Sequence, residues 1–174
     1  MSLKEIEVGS VCCVNDVEYI VLEKNDNSAL CLRRYLLERR VFDEDINNYA
    51  VSEIKRYLED EVLPGIINYA GERNLYDIEL DLTSDDGLDD YGKITSKIGL
   101  LTCDMYRKYN RIIERFPVDD YWWTLTPFST EHRGYTSYVR IVLSDGTLRH
   151  NHCYYSYGVR PFCIFSSSVF DDEN

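Results

Sequence analysis

No run of about eighteen apolar residues occurs in this sequence, so no segment is expected to span a membrane as a helix. Positive charge is scarce. Nineteen Lys and Arg stand against thirty-one Asp and Glu, a formal net charge of −12. Phosphate backbones and anionic lipid surfaces require clustered cations. The densest basic group here is Arg33, Arg34, Arg39 and Arg40, so neither nucleic acid nor membrane is expected as a partner. The nine glycines are scattered singly and form no phosphate-cradling loop. No Gly-x-Ser-x-Gly elbow exists to present a nucleophilic serine. The six cysteines, Cys12, Cys13, Cys31, Cys103, Cys153 and Cys163, contain no Cys-x-x-Cys pair. They read as reduced thiols packed as small hydrophobes. Residues 1–10 lack the apolar core of a secretory leader, and the chain reads as cytoplasmic.

What the sequence does have is tyrosine, in fifteen copies, with 44% hydrophobic residues overall. That composition predicts a packed domain, not disorder. The length suits one domain over 1–170, with an acidic tail at 171–174 expected to fray. Residues 9–34 predict an antiparallel meander. Val11-Cys12-Cys13-Val14 and Val17–Leu22 flank Asn15-Asp16, two residues that tolerate positive φ. Ile54, Tyr57, Leu58, Glu61 and Val62 mark a helix over 51–63, capped by Ser52 and ended or kinked by Pro64-Gly65. Residues 77–93 are acidic and read as a long loop or insertion. Thr102 begins a second helix over 103–115, with Met105, Tyr109, Ile112, Ile113 and Phe116 on its buried face. Residues 138–143 and 148–155 form a hairpin about Asp145-Gly146, and 159–165 close the sheet.

Candidate chemistry is thin. The acidic stretch invites a calcium reading, since hard cations want carboxylate oxygens. An EF-hand aligned on Gly87 fails, because Leu82 and Lys93 would occupy its first and last ligand positions. His150 and His152 share one face of a predicted strand, a spacing that can present two imidazoles, but no third ligand lies nearby. Cys153 beside His152 is the best thiol–base pair in sequence, yet strand alternation turns them apart. No cofactor and no metal is expected.

The sharpest feature is Trp122-Trp123. In a strand these rings point to opposite faces. Either both are buried against the closing strand, or one lies in the core and the other in a groove. Arg160, between Val159 and Pro161, reads as an internal anchor for a carboxylate or a carbonyl, with Asp119 and Asp120 as candidate partners.

Trp122-Trp123 with Thr126-Pro127, the hairpin at Asp145-Gly146, and Gly158-Val159-Arg160-Pro161 together resemble a family of bacterial and phage domains of unknown function. Arg39-Arg40-Val41-Phe42, Ser52–Leu58 and Leu100-Leu101-Thr102 extend the likeness over nearly the whole chain. The family usually has Arg and Ser where this chain has Leu125 and Thr126, and a small residue where it has Phe162. The family is similar in turn to the C-type lectin-like fold shared with formylglycine-generating enzymes. That similarity implies an α+β domain in which two main helices flank a small irregular antiparallel sheet behind an N-terminal meander. Binding residues would then sit on loops 128–137 and 150–157. The Glu-Pro-Asn and Trp-Asn-Asp signatures of calcium-dependent lectins are missing, and no paired active-site cysteines align.

The resulting expectation is a non-enzymatic binding module for a protein or glycan. Its contact surface would be Trp122 or Trp123 with Tyr135, Tyr154, Tyr155 and Tyr157. The rivals are a cysteine-dependent enzyme centred on Cys153, His150 and His152, and an oligomeric structural component of a phage or prophage particle.

Overall fold

The computed structural model describes residues 2–171. The chain opens with β1 (Val11–Val14), β2 (Val17–Lys24) and β3 (Ser28–Arg33) as an antiparallel meander. Asn15 and Asp16 both take positive φ, 49° and 62°. That matches the turn whose twist suits a two-residue hairpin. After β4 (Leu37–Val41) the chain makes a helical segment: α1 (Glu53–Tyr57), a π-helical turn (Leu58–Val62) and α2 (Leu63–Ala70). Ser52 Oγ accepts from the Lys55 N–H and caps α1.

Pro64 does not end this helix. In a regular helix its ring would meet the carbonyl four residues back. Here the preceding turn is widened, with the Leu63 N–H bonded to Leu58 O, five residues back. A π turn opens space on the proline side and lets the helix continue. It stops at Gly71, whose φ of 82° suits glycine.

The stretch 77–93 is not wholly loop. β5 (Ile78–Asp81) and β6 (Lys93–Ser96) pair antiparallel as a separate hairpin. Its signal was the alternation Ile78, Leu80 and Leu82, all buried, with exposed Glu79 and Asp81 between them. The density of carboxylates obscured that period. Next come β7 (Gly99–Leu100) and the one long regular helix, α3 (Cys103–Ile113), capped by Thr102. Its buried face is Cys103, Tyr106, Tyr109 and Ile113, whereas Met105 and Ile112 are half-buried. The stripe is thus rotated from the expected one toward Tyr106.

The last third adds β8 (Trp122–Pro127), β9 (Tyr138–Val142), β10 (Leu148–His152), β11 (Ser156–Val159), β12 (Pro161–Ser166) and a short α4 (Ser168–Asp171). Of the tail expected to fray, Asp171 ends α4, and 172–174 lie outside the described residues. The strands form two five-stranded sheets, ordered β1-β2-β3-β12-β7 and β10-β9-β8-β11-β4. All pairings are antiparallel except β8 with β11. The architecture is α+β, with irregular, mostly antiparallel sheets and helices against them.

The expected closing strand over 159–165 is therefore two strands in different sheets, and Arg160 is the hinge residue between them. Val159 pairs with Leu37 in one sheet, and Phe162 pairs with Leu32 in the other. At the crossing, a Cβ on Gly158 would lie 2.5 Å from Leu36 Cδ1 and 3.1 Å from the Tyr121 carbonyl oxygen. Any larger residue would have to displace the Leu36 side chain and press on the Tyr121 carbonyl, so glycine suits this crossing.

The Arg160 side chain closes the junction. It is 1% exposed. Its Nε donates to Arg33 O at 2.9 Å, and its Nη2 to Arg34 O at 2.7 Å and Phe116 O at 3.2 Å. Asp119 and Asp120 are not its partners. Asp120 pairs with Arg39 at 3.3 Å instead, and Asp119 is exposed.

Candidate functional site

Every residue of β8 is buried. Trp122, 2% exposed, packs edge-on against Tyr106 of α3 at 5.7 Å, with the Arg160 guanidinium 5.3 Å from its ring. Trp123, 0% exposed, points the other way. It meets Phe42 at 5.6 Å and Tyr157 at 4.9 Å, and its Nε1–H donates to Arg40 O at 2.9 Å. Alternation does send the two indoles to opposite faces, but both faces are covered. Neither ring is available to a ligand. Tyr157 leaves the expected surface for the same reason. It is 9% exposed, wedged against Trp123, and its hydroxyl accepts from Asn151 Nδ2 at 2.6 Å.

The other three nominated tyrosines are exposed: Tyr135 at 43%, Tyr154 at 47% and Tyr155 at 46%. They are the outer members of a continuous strip of rings. Register explains the middle of it. Tyr138 of β9 lies opposite His152 of β10, and His150 lies opposite Arg140, all on the outward face. Tyr138 is 4.6 Å from His152 and 5.0 Å from His150. Phe128, just beyond β8, covers His150 at 4.3 Å and meets Tyr135 at 5.5 Å. At the far end His152 stacks on Tyr154 at 4.7 Å with 13° between planes, and Tyr155 packs edge-on at 5.3 Å from Tyr154. Seven rings thus run from loop 128–137 across the hairpin to the turn after β10. Phe128, Tyr138, His150 and His152 were not nominated as part of a contact surface. The cross-strand pairing of Tyr138 with His152 was readable once the Asp145-Gly146 turn fixed the register.

Partial covering of the ring, then the charges of Arg140 and His152, hold the His150 imidazole below the usual histidine range. His152 Nδ1 lies 3.0 Å from Ser137 Oγ. The strip contains no carboxylate, Lys or Arg and has polar edges.

Its rigidity comes from Asn47, a residue sequence reasoning passed over. Asn47 is 0% exposed. Its Nδ2 donates toward the carbonyls of Ser129, Tyr135 and Tyr138 at 3.0, 3.2 and 2.9 Å. Its backbone N–H meets Thr136 O at 2.7 Å, and its Oδ1 accepts from the Tyr91 hydroxyl at 2.8 Å. One buried amide therefore satisfies a loop whose own backbone has no strand to pair with.

The acidic segment between β5 and β6 holds the same loop from the other side. Asp90 accepts from Thr130 Oγ1 at 2.7 Å, and Asp86 accepts from Ser129 Oγ at 2.7 Å and Ser84 Oγ at 2.5 Å. Asp85 faces Arg107 at 2.8 Å and Arg140 at 3.2 Å. These carboxylates serve as acceptors for the loop above them, and among the described residues no three His, Cys, Asp or Glu side chains converge as metal ligands. Burial pulls the Asp86 carboxyl upward, but the Ser84 and Ser129 hydroxyls and Arg133 outweigh it and hold it below the usual range. A carboxyl depressed in the fold stabilises it fully above its unfolded value, about 3.9. That contribution is lost as pH falls through the lower folded value. Stability should therefore drop below about pH 4, and Asp86→Asn should flatten that part of the curve in acid-unfolding measurements.

The thiol centre does not assemble. Cys153 is fully buried, and its backbone N–H and O are tied to Ser137, Phe42 and Asp43. Burial, with the Asp43 carboxylate second, pushes its thiol up to about 11. The His150 imidazole makes no hydrogen bond among the described residues. A thiol reagent should label Cys153 only at the rate of unfolding, so labelling at native conditions within minutes would contradict this burial.

Residues 26–167 match the family model described as "Domain of unknown function (DUF6273)". No curated protein and no solved structure matches the chain.

Proposed function

The chain belongs to the DUF6273 family, and we propose that this member is a non-enzymatic binding module whose contact surface is the aromatic strip. The observation that carries the reading is the unbroken sequence of seven rings, three of them strongly exposed, held on a rigid hairpin and a pegged loop. Function on loops supported by a rigid frame is common. The scaffold is of the C-type lectin-like kind, and its origin is bacterial or phage-related.

The ligand is an uncharged glycan. All seven side chains are rings, none is aliphatic, and six carry a hydroxyl or ring nitrogen. Ring faces take the C–H faces of a sugar while the polar edges bond its hydroxyls. None of the seven strip residues is Lys or Arg, so the strip itself offers no fixed cation to an anionic ligand. Recognition needs no calcium on this reading, and Asp85, Asp86 and Asp90 are already bonded within the fold.

A glycan array followed by titration tests this. Tyr154→Ala and Tyr155→Ala should each weaken binding about tenfold, the scale of about 1.4 kcal/mol at a contact hot spot. Each should shift stability by no more than about 0.5 kcal/mol, as for exposed side chains generally. Failure of every glycan to bind, or binding indifferent to both substitutions, would sink the reading. A stable homo-oligomer that buries the strip would favour the structural-component alternative. A protein that binds the strip where glycans do not would transfer the surface to a protein partner.

Among the described residues no helix is long and apolar enough to cross a membrane.

A further inference from the structure

We propose that the cavity beside Arg160 is a binding site for a small monocarboxylate. The cavity shares no residue with the aromatic strip, and the proposal does not depend on it. It is bounded by α3, the segment after it, and the turn between β9 and β10, and has a volume of about 70 Å³. One water needs roughly 10–15 Å³ on this measure. The space therefore admits a few heavy atoms, not a nucleotide or a sugar.

Its walls are mostly apolar: Trp122, Ile113, Phe116, Val118 and Leu143. Its one cationic wall is Arg160, a guanidinium 1% exposed that forms no ion pair among the described residues. Nε and Nη2 are used by three backbone carbonyls, and Nη1 makes no hydrogen bond in the protein. A deeply set cation with no counter-anion is costly to maintain. A carboxylate in the cavity supplies both the missing charge and the missing acceptor, in a short charge-assisted bond. Its alkyl end would rest on Trp122 and Leu143.

The rim limits the anion. Glu114 and Asp145 line the cavity too, and both oppose negative charge. Asp145 is occupied by the Thr147 N–H and hydroxyl, at 3.0 and 2.7 Å. Tyr106 is also taken, its hydroxyl donating to Gly146 O at 2.6 Å. One free guanidinium nitrogen against two nearby carboxylates suits a single charge, not phosphate or a dicarboxylate.

The test is an NMR titration of the purified full chain with sodium propionate, following the Trp122 indole and Arg160 Nε–H signals. Propionamide and sodium chloride at matched ionic strength serve as controls. The expected result is a saturable shift with propionate alone. Val118→Phe, which narrows the cavity without touching Arg160, should weaken it at least tenfold. No saturable shift, an equal response to propionamide, or an equal response to chloride would each overturn the proposal. So would unchanged propionate binding in a folded Val118→Phe. If that variant does not fold, the comparison of the three solutes on the natural chain decides alone.

Discussion

Trp123→Ala is expected to destabilise the protein by about 3–5 kcal/mol, the range for removing a large buried aromatic. The indole is fully buried between Phe42 and Tyr157 and hydrogen-bonded to Arg40 O. Its loss opens a cavity where β8 meets β4 and β11, and it leaves a buried carbonyl without its donor. Trp123→Phe separates these effects. It keeps most of the ring packing and removes the N–H, so it should cost less, about 1–2 kcal/mol. Denaturant unfolding of both variants measures the two figures. A Trp123→Ala variant within 1 kcal/mol of the natural chain would mean that the indole is not the keystone of this sheet.

Asn47→Ala should have the next largest effect, about 2–4 kcal/mol, because it strands several buried polar groups at once. Three carbonyls lose a shared donor, and the Tyr91 hydroxyl loses its acceptor. The damage should be local in its first signs. Amide exchange in 128–137 should rise well beyond that in β1–β3, and ligand binding should weaken more than the stability loss explains. Asn47→Asp is the sharper variant. It keeps size and the acceptor for Tyr91, yet turns a donor amide into an acceptor facing carbonyls. Loop exchange unchanged in both variants would remove Asn47 from the role of peg.

The early meander was legible because its period of two and its Asn15-Asp16 turn agree with each other. The α3 start was legible because Thr102 is a good cap directly before a helical stripe. The hairpin of β5 and β6 was not read, since carboxylates masked a clean alternation. The strand switch at Arg160 was hidden for a different reason. Val159 to Phe165 is continuously apolar apart from that residue, and nothing local says that the chain leaves one sheet for another.

The candidate surface was half legible. Tyr135, Tyr154 and Tyr155 stand out as loop tyrosines, and they are exposed. Trp122 and Trp123 mislead, because side chains alternating across a strand reach solvent only if one face is left open, and helix and sheet cover both. Asn47 gave no signal at all. One Asn of the Asn47-Asn48 pair that follows Asp43, Glu44 and Asp45 looks like any loop residue, and its importance comes from a partner segment more than eighty positions away.

The late position of β11 and β12 has a consequence for how the chain acquires its shape during synthesis. β3 and β4 are made early, but each waits for a neighbour that emerges from the ribosome more than a hundred residues later. Until then both present unpaired backbone, the kind of edge that invites foreign strands. Pairings so distant along the chain also slow closure. Nascent chains stalled just before residue 156 should therefore be the form most dependent on chaperones, and emergence of residues 156–166, which form β11 and β12, should end that dependence.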